Sequence, residues 1–130
     1  MAIGSTICLT AGRIILALVF LSAGALHFTM PQFYVKIVPP YLPAHLQLVY
    51  VSGFFEMLGG LGLLMPAAML GLPVRRIAAW GLVALLIAVM PANIYMVTAH
   101  EKFAPIPLWA LWVRLPLQLP LIWLAWLYSR

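Results

Sequence analysis

The sequence predicts an all-α integral membrane protein, a four-helix bundle with a short interfacial helix between its first and second spans. Three observations predict it. Of 130 residues, 66% are hydrophobic and only 7% are charged, a balance outside soluble globular usage. Four apolar stretches approach the ~20 residues that cross a hydrocarbon core. The few polar residues inside those stretches recur at helical spacing, as the packed face of a bundle requires. One transmembrane domain accounts for residues 1–130.

The first span is expected over residues 7–28. Arg13, Ala17, Phe20, Gly24 and His27 are spaced by four, three, four and three, so they share one helix face and turn towards neighbouring helices. No Lys or Arg precedes Arg13, which argues against a secretory signal and for retention of this helix. The connection that follows is rich in proline and aromatics. Thr29 and Gln32 have capping-box spacing, and Pro31 sits where a helix tolerates it. A short interfacial helix is therefore expected over about residues 30–37, ended by Pro39-Pro40 and placed to cap the bundle.

The second span, residues 46–65, carries Glu56 between Gly53 and Gly60, with Gly59 beside them. A charge at that depth costs a few kcal/mol and faces a partner or a cavity rather than lipid. The glycines mark the packed face, so Glu56 points inward. The third span is expected over residues 76–97, with Gly81, Ala84, Ala88, Ala92 and Tyr95 as its small, packed face and a kink at Pro91 just before Asn93. The fourth, residues 106–128, aligns Ala110, Arg114, Gln118 and Ala125 on one face, while Pro116 and Pro120 point elsewhere. Trp80, Trp109, Trp112, Trp123, Trp126 and Tyr128 gather towards span ends, as interfacial aromatics do.

Charge and cysteine content exclude several functions. The formal charge is +5, but the basic residues form no patch interleaved with polar aromatics, so nucleic acid is not a partner. Arg75, Arg76 and Arg130 fall on one side with Arg13 nearest to it, and Lys36 and Lys102 on the other. By the positive-inside rule both termini are cytoplasmic. With Cys8 as its one cysteine, the chain has no intrachain disulfide and no Cys-x-x-Cys chemistry.

The polar constellation comprises Glu56, Arg13, Arg114, Gln118, Asn93, His27 and Tyr95. Counting depth along each span puts His27 close to the outer surface, Asn93 below it, Arg114 and Gln118 lower, and Glu56 near the middle. Arg13 approaches Glu56 from the inner half. Two arginines thus compete for one carboxylate, and two readings stay open. In one, Glu56 and an arginine form a structural ion pair. In the other, the polar groups end an apolar pocket for a flat or lipid-like molecule, and a quinone fits such a slot. The spacing of His27, Met30, His45 and His100 matches no compact ligand motif, and no metal site is assigned.

These residues carry a resemblance. Arg13, Gly24-Ala-Leu-His27-Phe28, Pro31 and Phe33, Pro39-Pro40-Tyr-Leu-Pro43, Gly53-Phe-Phe-Glu56 with Gly59-Gly60, and Pro91-Ala-Asn93-Ile-Tyr95 together resemble the DoxX-like family of small four-helix bacterial membrane proteins. The resemblance covers most of the chain. It implies a link to oxidoreductase assemblies, since one branch looks like the membrane subunit of a thiosulfate:quinone oxidoreductase and others are associated with methylamine utilisation. Related eukaryotic folds bind sterols or assist receptor assembly. Carried over by likeness, Arg13, His27, Glu56 and Asn93 are the positions of interest; the missing cysteine pair separates this chain from thiol-dependent relatives. The resemblance also implies a bacterial inner membrane, and the expected function is binding of a quinone or similar hydrophobic ligand within a redox assembly there, with an oxidoreductase complex or a homo-oligomer as the expected setting. The alternative is an accessory or assembly subunit with a purely structural Glu/Arg pair.

Overall fold

A computed structural model describes residues 2–130. The protein is an all-α, four-helix bundle, and each of its four spans is long and apolar enough to cross a membrane. Helix α1 (Ala2–Thr29) forms the first span. It starts earlier than expected and, at ~1.5 Å per residue, runs about 42 Å, longer than the bilayer core. The short α2 (Pro31–Ile37) follows after one residue, placed as the interfacial helix should be. Its N-cap is Met30 and has no side-chain hydrogen bond. The Thr29–Gln32 capping box does not form, because Thr29 is still part of α1. Tyr34 and Ile37 lie on the inner side of α2, while Gln32, Phe33 and Lys36 are exposed.

Helix α3 (His45–Leu64) is the second span and packs most extensively against α1. The glycines explain how closely. A Cβ on Gly24 would lie 2.7 Å from the Gly53 carbonyl oxygen, and one on Gly60 would lie 2.9 Å from that of Ala17. These are backbone-to-backbone approaches that only a missing side chain permits. A two-residue turn at Leu70-Gly71 closes the next connection; both residues have positive φ, at 53° and 77°, as the primed hairpin turns demand.

The third span is broken into α4 (Val74–Ala88) and α5 (Met90–Thr98) at Val89, two residues before Pro91. The expected kink is therefore a discontinuity. The expected small face of this span holds beyond the break, where Ala92 and Tyr95 are half-buried and Tyr95 packs on the core, but not before it. Gly81, Ala84 and Ala88 are exposed, and a Cβ on Gly81 would meet nothing within 4 Å. Ala79, Leu82, Val83 and Leu86 are buried instead. The reason is that α3 already supplies the small residues of this interface: Leu82 fills the space over Gly59, and Ala78 that over Gly62. A short 3₁₀ turn (His100–Phe103) leads to α6 (Leu108–Leu127), where Pro116 and Pro120 are exposed and Gln118 and Ala125 are buried.

The spans pack in sequence, α1 on α3, α3 on α4 and α4 on α6, with a thin seam between α6 and α1. One buried cluster unites Leu16, Ala17, Phe20, Leu63, Leu82, Leu86 and Ala125. A second unites Ile37, Met96, Val97, Phe103 and Leu111. The break at Val89 lies between them. Beyond it, α5 packs on α6 and α2, whereas α4 packs on α3. The third span thus leaves α3 at Val89, and a wedge opens under α2.

Candidate functional site

The wedge is a cavity of about 330 Å³, within the size range of small-molecule sites. Helix α2 contributes Tyr34 and Ile37 as its lid, and α3 contributes Val49, Ser52, Phe55 and Glu56. The broken third span adds Leu85, Ala88, Val89, Pro91, Ala92 and Asn93; α6 adds Arg114. Leu48, Val51 and Phe55 lie one turn apart along α3, line the cavity and are also exposed. In a span, that exposed row opens the cavity sideways, towards lipid.

Its polar end is built by α1 and α3. His27 and Glu56 are both buried, 7% and 8% exposed, and His27 Nδ1 lies 3.5 Å from Glu56 Oε2. The same nitrogen lies 2.8 Å from the Ala23 carbonyl oxygen. A carbonyl only accepts, so Nδ1 carries the hydrogen and donates it to Ala23. Glu56 Oε2 is consequently buried with no hydrogen-bond partner. The His27 ring is held flat against Tyr34, with centroids 3.8 Å apart and planes 24° from parallel. Tyr34 was not legible as a site residue; its spacing of three from Ile37 on the inner face of α2 was the available signal.

Neither arginine pairs with Glu56. Arg13 donates through Nη1 to the Leu63 carbonyl at the far end of α3, and His27–Glu56 is the only side-chain pair of this kind within 4 Å among the described residues. The depth count misplaced His27 because α3 overhangs α1. A Cβ on Gly53 would lie 2.5 Å from His27 Cβ, so His27 is level with a point about two turns into α3. Arg114 does line the cavity and is exposed. Tyr34 senses both charges: burial, first, and then Glu56 raise its hydroxyl pKa above the usual value, while Arg114 lowers it.

Asn93 and Gln118 come together, but mainly to support the break. Asn93 Nδ2 donates to Gln118 Oε1 at 2.9 Å, and Gln118 Nε2 donates to the Leu86 carbonyl. The last carbonyls of a helix lack intrahelical partners, so Gln118 caps α4 from across the bundle. Asn93 lines the cavity, whereas Gln118 lies behind it. Tyr95 is directed away: its hydroxyl accepts from Lys102 at 3.3 Å, and its ring meets Phe103 edge-on. Of the seven sequence-selected residues, His27, Glu56, Asn93 and Arg114 share the cavity. Chemically, this set offers a buried acceptor, an aromatic stack and a cationic donor around an apolar slot.

Comparison with curated proteins returns no match, and comparison with solved structures returns none. One family model matches residues 16–129, a stretch that contains every residue of the cavity. The chain belongs to that family, described as "Domain of unknown function (DUF8561)".

Proposed function

We propose that this protein binds a hydrophobic molecule with a hydroxylated, ring-shaped head, of the quinone/quinol class, which enters sideways from the bilayer. The observation that carries the reading is Glu56 Oε2, buried at the end of an apolar cavity without a donor. An unsatisfied buried acceptor costs about 1–3 kcal/mol, and a ligand hydroxyl would remove that cost. The stacked His27–Tyr34 pair offers a flat wall for a ring, and Arg114 offers a donor for a carbonyl. The resemblance to DoxX-like proteins supports presentation of such a ligand to a redox partner in a bacterial inner membrane.

The test is mass spectrometry of what travels with the protein in mild detergent. The parent retains a hydrophobic molecule of this class, and Glu56→Leu retains about tenfold less or lower still, the loss expected for a hydrogen bond to a charged group. An empty parent, or equal retention by the variant, overturns the reading.

A second reading, an accessory subunit of a larger membrane enzyme, is favoured by α6. Trp109, Trp112 and Trp123 are more than half exposed along it, and the helix is thinly packed against α1. A detergent-stable complex whose turnover is indifferent to Glu56→Gln and Arg114→Met would establish that role.

A further inference from the structure

At the other end of the bundle, α1, α4 and the end of α6 enclose a second cavity of about 440 Å³. Four arginines line it: Arg13, Arg75, Arg76 and Arg130. They are four of the seven basic residues in the chain. Both acidic side chains lie elsewhere. Glu56 is in the cavity described above, and Glu101 is in the 3₁₀ turn between α5 and α6, at the opposite end of the bundle. Four guanidinium groups therefore converge without a side-chain carboxylate among them.

Two of the four are fixed by the fold. Arg13 donates to the Leu63 carbonyl, and Arg75 donates through Nε and Nη2 to the Met65 carbonyl at 3.2 and 2.9 Å. Each guanidinium has five N–H donors in a planar fork, so these tethers orient it and leave at least three donors. Arg76 is exposed, and Arg130 rests on the Trp126 ring with 4.8 Å from Cζ to the centroid. The Tyr128 hydroxyl, which donates to the Leu9 carbonyl at 2.8 Å and keeps its acceptor lone pairs, completes the wall. The cavity sits where α3 ends at Leu64, α4 begins at Val74 and α6 ends at Leu127. That is the depth of lipid headgroups, and the N-terminus of α4 adds its own positive end there.

We propose that this arginine cavity binds the phosphate of an anionic phospholipid. Arginine matches phosphate in a bidentate manner, and basic pockets between transmembrane helices on one side of a bilayer take anionic headgroups. The site is distinct from the ring-binding cavity, and neither depends on the other.

The experiment measures thermal stability and native mass spectra of the full chain in detergent, with phosphatidylglycerol, phosphatidylcholine or inorganic phosphate added. Phosphatidylglycerol is expected to raise the melting temperature and to stay bound in the spectra, with phosphatidylcholine giving neither. Arg76→Gln and Arg130→Gln, which break no hydrogen bond to the helix ends, should each weaken retention about fivefold. Lys36→Gln and Lys102→Gln, at the other end, should leave it unchanged. No preference between the two lipids overturns the proposal, as does equal retention by the arginine variants. Stabilisation by inorganic phosphate equal to that by phosphatidylglycerol overturns the lipid as the source of the phosphate.

Discussion

His27 Nδ1 lies 3.5 Å from Glu56 Oε2 yet gives its hydrogen to Ala23, 2.8 Å away. The pair looks like an ion pair by distance, but it does not satisfy the carboxyl. This separates a structural role from a binding role by the sign of one substitution. Glu56→Leu removes a buried acceptor that has no donor and fills the space with a side chain of similar size. Stability in the absence of ligand should rise by about 1–3 kcal/mol, seen as a higher melting temperature in detergent. A structural pair with His27 would give a loss instead.

The meeting of His27 with Glu56 depends on how closely α1 approaches α3. A Cβ at Gly53 would lie 2.5 Å from His27 Cβ and 3.0 Å from the Gly24 carbonyl oxygen. Part of that obstruction is backbone, so Gly53→Ala forces the helices apart and should cost about 1–3 kcal/mol. The control is Gly81→Ala, where the new methyl meets nothing within 4 Å. There the better helix propensity of alanine should leave stability unchanged or raise it by up to about 1 kcal/mol. Paired unfolding curves of the two variants decide this.

The same glycines show what was legible in the sequence. Span number and the inward direction of Glu56 follow from local spacing, because the glycines at positions 53 and 60 share its helix face. The partner of Glu56 does not follow, since it depends on the register between α1 and α3. Depth counted from span ends put His27 above Glu56 and left Arg13 and Arg114 as candidates. The Gly24–Gly53 contact instead brings His27 level with the carboxyl. The third span failed for a related reason. Gly81, Ala84 and Ala88 read as a packing stripe, but a helix interface needs one small side only, and α3 provides it at Gly59 and Gly62. A polar-ended pocket was expected from the sequence, but its walls were not: Pro91 signals a kink, and only the packing of α5 on α6 and α2 turns that kink into a wedge.

Tyr34 lies in α2, outside the spans, and reports on the site by titration. Burial raises its hydroxyl pKa above the ordinary value of 10.0; the charge of Glu56 adds to the rise, and that of Arg114 opposes it. A folded value above the unfolded one means that the protonated phenol contributes stability fully below about pH 10, lost as pH rises through the folded value. The melting temperature should therefore fall on the alkaline side, and less steeply in Tyr34→Phe. Tyrosinate absorbance gives the geometric check. Glu56→Leu should move the Tyr34 titration down, and Arg114→Met should move it up. No movement in either variant would place Tyr34 away from both groups.

Pro91 and Gln118 act on the break with opposite sign. Gln118 ties α6 to Asn93 and to the Leu86 carbonyl, so Gln118→Leu strands two polar groups and should cost about 1–3 kcal/mol. Pro91→Ala restores a backbone N–H and removes a ring that cannot fit a continuous helix, a gain bounded by the roughly 3 kcal/mol such a proline costs in an ordinary helix interior. With α4 and α5 continuous, the third span stays against α3 and the wedge beneath α2 closes. The variant should melt at a higher temperature than the parent while losing the hydrophobic ligand proposed for the cavity. Gln118→Leu should melt lower, with retention falling only as the protein unfolds. Measured together, melting and retention show whether the break at Val89 exists to make room for a ligand: a Pro91→Ala protein that is more stable and still retains its ligand would mean that the cavity does not depend on it.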